Sequence, residues 1–188
     1  MSLDHAILGF LASQPMTGYD LKTRCFDRDA KHLWTADQAQ IYRTLERLER
    51  SALVVSRLIP QPGRPDRKEF AITSAGKRAL VEWLETPHPL PPLRDPLLLQ
   101  LFFAGALPDD QLLALLETAR DGYQRRLEEL RRGSARVSGS SRGANVRRMT
   151  LDGAMSQTRA AIDWLDDMRE RIASGIPANG DALGRTNQ

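Results

Sequence analysis

Residues 35–52 read TADQAQIYRTLERLERSA, and residues 53–72 read LVVSRLIPQPGRPDRKEFAI. In the first stretch Ile41, Leu45, Leu48 and Ala52 recur at steps of four, three and four, which sets them on one apolar stripe of a helix. Thr35, with Gln38 three residues later, has the spacing of a capping box and predicts where that helix starts. In the second stretch Leu53–Ile59 is apolar and β-branched, a Pro/Gly turn follows, and Arg67–Ile72 alternates loosely between polar and apolar. Two short runs around such a turn predict a β-hairpin.

Nearer the N-terminus, Ser2 can cap a helix carrying Leu3, Ile7, Leu8 and Leu11, which Pro15 closes. Thr17 starts a second helix, with Asp20 as its capping partner. Thr73 caps a further helix running to about Glu85. Three helices, a hairpin and a helix is the order of a winged helix-turn-helix. The expectation is a mainly α chain with a small β-hairpin, in which residues 1–85 form that domain.

Beyond it, residues 86–96 hold Pro87, Pro89, Pro91, Pro92 and Pro96, a density that predicts a stiff connector. Helical stretches follow at about 95–107, 109–132 and 144–173. The last carries Met155, Ala161 or Ile162, Leu165, Met168 and Ile172 on one face. Residues 97–174 are thus expected to form a helical dimerisation domain, with a Gly/Ser/Arg-rich flexible loop at 133–143 and a flexible tail at 175–188.

The chain's 188 residues are 41% hydrophobic and 27% charged, which excludes whole-chain disorder. Its formal net charge is +3, which permits an anionic partner without naming one. A single cysteine excludes an intramolecular disulfide and suits a reducing compartment. The longest apolar stretch, Leu97 to Leu107, is far short of a membrane span, and residues 1–30 show no signal-peptide pattern. These features predict a cytoplasmic protein without membrane association.

Opposite the apolar stripe, the third helix carries Ala36, Ala39, Gln40, Arg43, Arg47 and Arg50. Small residues at its N-terminal end allow close approach to double-stranded DNA. Gln40 can there read adenine and Arg43 guanine in the major groove. Gln38 and Tyr42 lie on the flanks, where backbone contact is expected. Any surface helix has a polar face, so this pattern by itself fits a solvated helix equally well. The hairpin tips the balance: Arg57, Arg64, Arg67 and Lys68 against Asp66 concentrate positive charge on a Pro-stiffened tip suited to phosphates or a minor groove. Thr17, Tyr19, Lys22 and Arg47 are expected to add phosphate or minor-groove contacts.

Other constellations point to the ordinary. Cys25 reads as a buried, inert thiol rather than a redox switch. His5, His32 and His88 show no metal-ligand spacing with it. Asp163, Asp166, Asp167 and Glu170 read as a solvated helix face balanced by Arg159 and Arg171. No P-loop, dinucleotide-binding glycine pattern or zinc-protease pair occurs, so no enzyme activity, cofactor or metal is expected. Trp34, Trp83, Phe102, Phe103 and Trp164 suit either an effector cavity or core and interface anchors.

Residues 6–76 resemble the DNA-binding domain of the PadR family of bacterial transcription regulators. The resemblance is carried by AILGFL at 6–11, MTGYDL at 16–21, QIYRTLERL at 40–48, GRPDRK at 63–68 and ITSAG at 72–76. LFFAG at 101–105 and AIDWL at 161–165 are similar to the family's dimerising helices, which brings Phe102, Phe103 and Trp164 to a dimer interface or effector site. The resemblance implies a homodimeric repressor that a small aromatic or drug-like effector releases from DNA. Two departures stand out: the charged run 27–31 before the third helix, and the loop at 133–143. The rival from another class is a helical protein–protein adaptor whose winged helix does not bind DNA.

Overall fold

The computed structural model describes residues 2–61, 64–89, 92 and 94–175, with every side chain among them except those of Ser2, Gln61, Arg64 and Pro65. Pro62 and Gly63 at the hairpin tip, part of the Pro-rich connector, and the tail from residue 176 lie outside the described residues. The chain divides into two compact units, Met1–Pro91 and Pro92–Gln188.

In the first unit, helix α1 (Ser2–Leu11) precedes a two-residue strand β1 (Met16–Thr17). Thr17 then caps α2 (Gly18–Asp20), which continues as a π-helix over Leu21–Asp29. Helix α3 (Gln38–Arg50), strands β2 (Val54–Gln61) and β3 (Arg64–Ile72), and helix α4 (Ser74–Glu85) follow. The three strands form one antiparallel sheet in the order β1-β3-β2, with Met16 opposite Phe70 and Val54 opposite Ile72. The sequence pattern predicts only the hairpin. A strand of two residues shows no alternation, so β1 is set by its pairing with β3 instead.

The core gathers Ile7, Leu8 and Leu11 of α1, Leu21 and Phe26 of the second helix, Ile41, Leu45 and Leu48 of α3, and Phe70 of β3. Each fully buried Leu, Ile or Phe contributes about 1.5–3 kcal/mol of transfer free energy. The stripe Ile41, Leu45 and Leu48 faces inward as its spacing predicts, while Ala52 does not extend it. Ala52 sits past the helix end at φ 56°, exposed, in the left-handed conformation that closes α3. Leu53 N–H then returns to Leu48 O at 2.9 Å and Ala52 N–H to Glu49 O at 2.9 Å, the paired bonds of a Schellman cap.

The start of α3 differs from expectation. Asp37, not Thr35, is the N-cap: its side chain accepts from Gln40 N–H at 2.7 Å, and Gln40 Oε1 accepts from Asp37 N–H at 3.0 Å. Thr35-x-x-Gln38 and Asp37-x-x-Gln40 both satisfy the box pattern. Burial of Ala36 in the core selects the later one.

In the second unit, Asp95 caps α5 (Pro96–Phe102), a single 3-10 turn spans Ala104–Ala106, and two long helices follow: α6 (Asp109–Ala135) and α7 (Arg142–Ala173). Leu116 and Leu130 of α6 and Leu165 of α7 are fully buried, and Leu127 meets Leu151 and Met155 nearer the turn, so the two helices run antiparallel. The loop between them is shorter than the composition of 133–143 predicts, because α6 continues through Gly133, Ser134 and Ala135. What remains is tied down rather than loose: the Arg148 guanidinium donates to Val137 O at 3.1 Å and also to Gly139 O. Asp166 joins no mere solvated face either. It accepts from Arg120 of α6 at 2.5 Å, which raises the Arg120 pKa through that hydrogen bond first. Arg169 in turn meets Glu117 at 2.5 Å.

Candidate nucleic-acid interface

The exposed face of α3 is built at its N-terminal end. Gln38, Ala39, Gln40, Tyr42 and Arg43 are all exposed there, while Ile41, Thr44 and Leu45 on the opposite side are buried. Arg43 makes no ion pair among the described residues, so its five donors are free for a planar acceptor such as a guanine edge. Gln40 is exposed too, but its carbonyl oxygen is engaged by the capping box and only its amide group is unengaged.

The flanking residues fall into two groups. Tyr19 stands 63% exposed at the start of the second helix. The Tyr42 ring lies over Gly18, where a Cβ would come within 2.7 Å of it, so glycine is needed for α2 to approach α3. The rest are already partnered within the fold. Thr17 spends its hydroxyl on the Asp20 carboxylate at 2.8 Å. Lys22 pairs with Asp27, five residues on, a spacing that becomes adjacent because the helix there is π. Arg47 donates to Asp4 and so ties α3 to α1.

The hairpin forms the wing. Arg57 donates through Nε (2.9 Å) and Nη2 (2.6 Å) to Glu69 across the ladder, and Arg67 approaches the same carboxylate at 3.9 Å. Lys68 pairs with Glu49 of α3 at 2.8 Å and lies 5.0 Å from the Phe70 ring centroid. The side chain of Arg64 lies outside the described residues. The structure therefore brings Gln38, Gln40, Tyr42 and Arg43 onto one face, with Arg67 and Lys68 exposed on the wing. Three further residues organise this surface: Asp37, Asp4 and Glu49. Asp37 carried a signal in its box spacing. The other two act over 43 and 19 residues of sequence, where no local pattern could show them.

At the first core, Cys25 is buried and its thiol pushed up to about 11, first by desolvation and then by the Asp29 charge. It contacts Met16 Sδ at 3.6 Å and is buried as expected. Among the described residues no group of three or more His, Cys, Asp or Glu could hold a metal ion. No helix among them is long and apolar enough to cross a membrane. In the second unit a cleft of about 440 Å³ opens between α5 and α6, lined by Leu97, Leu115, Ala119, Tyr123, Thr118 and Arg126. Phe102 and Phe103 do not line it. They are 80% and 69% exposed and meet edge to face at 5.1 Å. Trp164 is half-buried against the core around Leu116 and Leu165.

A capped helix with exposed Ala39 at its entry and an arginine that makes no ion pair among the described residues, beside a basic β-wing, makes this a winged-helix DNA-binding transcriptional regulator. Residues 7–82 match the Transcriptional regulator PadR-like family, and residues 93–173 match the Virulence activator alpha C-term family. A probable transcriptional regulator of Mycobacterium tuberculosis, Rv1176c, is 33% identical over 186 residues, covering 92% of this chain and 98% of that protein. The negative transcriptional regulator PadR of Bacillus subtilis is 24% identical over 177 residues, covering 90% and 97%. The crystal structure of that PadR with operator DNA superposes with a TM-score of 0.83 at 24% identity, over 92% of this chain and 99% of that one. Its complex with p-coumaric acid gives 0.75 at 23% identity, over 91% and 95%. The chain belongs to the PadR-like transcriptional regulator family, which is non-enzymatic.

Proposed function

We propose that this regulator is a cytoplasmic homodimeric repressor that binds a two-fold symmetric DNA operator through α3 and the wing and leaves it when a small aromatic effector binds. The observation that carries the DNA surface is Arg43: exposed, without an ion pair among the described residues, and one turn along from Gln40. Gln40 and Arg43 contact bases. Gln38, Tyr42, Tyr19 and the wing residues Arg64 and Arg67 contact phosphates or a minor groove. Thr17, Lys22, Arg47 and Lys68 serve that contact by holding the domain together, since each is already bonded within it. Repression and effector release are argued from the B. subtilis relative, a negative regulator solved with p-coumaric acid.

The homodimer has support in charge and exposure. Residues 125–148, at the turn of the α6–α7 hairpin, hold eight arginines against two glutamates. Segments 109–121 and 163–171, at its open end, hold eight acidic residues against three arginines. A second copy laid antiparallel sets basic end on acidic end twice, whereas a parallel copy opposes like charges. Phe102 and Phe103 supply apolar area of the kind that interfaces bury. The α5–α6 cleft has the volume of a small-molecule site, and Tyr123 and Arg126 stand among its mostly apolar lining, which suits an aromatic carboxylate. In this arrangement residues 1–85 read DNA, 86–96 connect, and 97–174 dimerise.

The test is titration of the protein with the DNA upstream of its own gene at two salt concentrations, alongside Arg43→Ala and Arg67→Ala together. Tight, salt-sensitive binding that the double variant loses supports the proposal. Absence of binding to any duplex at either salt concentration favours a protein adaptor instead.

A further inference from the structure

We propose that Glu46 is a specificity residue of the DNA surface, an acceptor that weakens binding to any duplex except where the amino group of a base meets it. This inference rests on the assignment of α3 as the base-reading helix. Ala39, Arg43, Glu46 and Arg50 follow one another at steps of four, three and four, and all four are exposed. At 100° per residue they fall within about 60° of one another, opposite the buried stripe of Ile41, Leu45 and Leu48. They form the outward ridge of the helix, and Glu46 stands between its two arginines. The spacings to Arg43 and Arg50 are those at which helix ions pair, yet none of the three makes an ion pair among the described residues. The neighbouring charges are engaged instead, Arg47 by Asp4 and Glu49 by Lys68. Glu46 is thus an unpaired carboxylate on the face that meets DNA.

Arg43 and Arg50 are donors only, and phosphates satisfy them as well as a guanine edge does. Glu46 is an acceptor only. Phosphate repels it and offers it no donor. In the major groove one kind of group satisfies it, the N6 amino group of adenine or the N4 amino group of cytosine. Each base pair carries one such group, but its place across the groove differs among A·T, T·A, G·C and C·G. A carboxylate set at one place on the ridge therefore meets the amino group in some base pairs and an acceptor edge in others. Glu46 raises specificity by making the wrong DNA worse.

Glu46→Ala removes both the charge and the acceptor, and alanine at an exposed helix position keeps the helix. Full-length wild type and Glu46→Ala should each select sites from randomised duplex DNA. Both are then titrated, at one salt concentration, with the site the wild type selects and with random-sequence duplex. Glu46→Ala is expected to bind random duplex severalfold tighter than the wild type does. Its preference for the selected site over random duplex is expected to fall about tenfold. One position of the motif, repeated in each half-site, should lose its base preference while the others keep theirs. Equal tightening on both duplexes with the motif unchanged makes Glu46 a bystander charge. No change on either places it outside the contact. Either result overturns the inference while the wild type's own motif still stands for a base-reading protein. A wild type that prefers no duplex over random DNA fails the base-reading assignment itself, and this inference with it.

Discussion

The Glu49 carboxylate on α3 accepts a hydrogen bond from the Lys68 ammonium on β3 at 2.8 Å, joining that helix to the wing beside it. Ser56 of β2 donates to the other oxygen of the same carboxylate. The wing is therefore not an independent hairpin. Its angle to α3 is set by a three-residue bridge.

That bridge predicts a pH dependence. Glu49 is held below the ordinary glutamate range, first by the Lys68 hydrogen bond and then by that of Ser56. A carboxyl with a lowered folded-state pKa stabilises fully above its unfolded value and loses that contribution as pH falls through the folded value. Glu49→Gln should therefore cost under about 1 kcal/mol at neutral pH, as a part-exposed pair does, and the gap should close in the acid range. Urea unfolding across that range measures it, and a gap constant with pH would count against the bridge.

Gly76 predicts an inverted helix rule. Alanine normally stabilises a helix relative to glycine by up to about 1 kcal/mol. At Gly76 a Cβ would lie 2.1 Å from Leu53 O, a backbone atom that already accepts from Thr73 N–H at 3.0 Å. Gly76→Ala should thus destabilise by about 1–3 kcal/mol or more, read as a lower urea midpoint.

Ala52 predicts the opposite sign. Its φ of 56° costs a side-chain-bearing residue roughly 1 kcal/mol, which glycine avoids. Ala52→Gly should raise stability by about 0.5–1 kcal/mol without changing DNA affinity. A lowered melting temperature would show that the Schellman cap tolerates Ala at no strain.

Arg43 and Arg47 predict a division of labour on one helix. Arg43→Ala should leave the unfolding midpoint unchanged and weaken operator binding, reducing the salt slope by about one ion if it touches a phosphate or relaxing one base if it reads guanine. Arg47→Ala removes the tie to Asp4 and should lower stability by up to about 1 kcal/mol with a smaller effect on DNA. Equal effects of the two on DNA affinity would deny the distinction.

Cys25 predicts silence. With its thiol pushed up to about 11 by burial, it is protonated at neutral pH and shielded. Alkylation by iodoacetamide should be slow in the folded protein and fast in denaturant. Because the thiol is raised in the folded state, stability should fall as pH rises through the unfolded thiol value toward the folded one.

Much of this molecule is legible in its sequence where the forces are local. The stripe Ile41, Leu45 and Leu48, the Thr17–Asp20 box and the Thr73 cap follow from spacing alone, since each depends on residues within one or two turns. The order of helices and hairpin carried the fold class. What spacing could not show was choice between equals and contact at a distance. Two capping boxes fit the start of α3, and only the burial of Ala36 decides between them. Composition marked 133–143 as loose, yet Gly133 and Ser134 are helical because α6 and α7 pack beside each other there. At the candidate site, exposure of Gln40 and Arg43 was readable. That Arg47, Lys22 and Lys68 are spoken for by Asp4, Asp27 and Glu49 was not, because those partners are fixed by tertiary packing or by a π-helical turn.

The π-helix at Leu21–Asp29 gives the segment a tolerance to changes of length. A π turn houses more residues per turn than an α turn, so it can take up an inserted residue without displacing what lies on either side. Leu21, Cys25 and Phe26 stay in the core and α3 keeps its seat. A relative with one residue fewer between Leu21 and the start of α3 needs only ordinary α turns to present the same surface. In this segment the turn, and not the surface beyond it, absorbs a change of one residue in length.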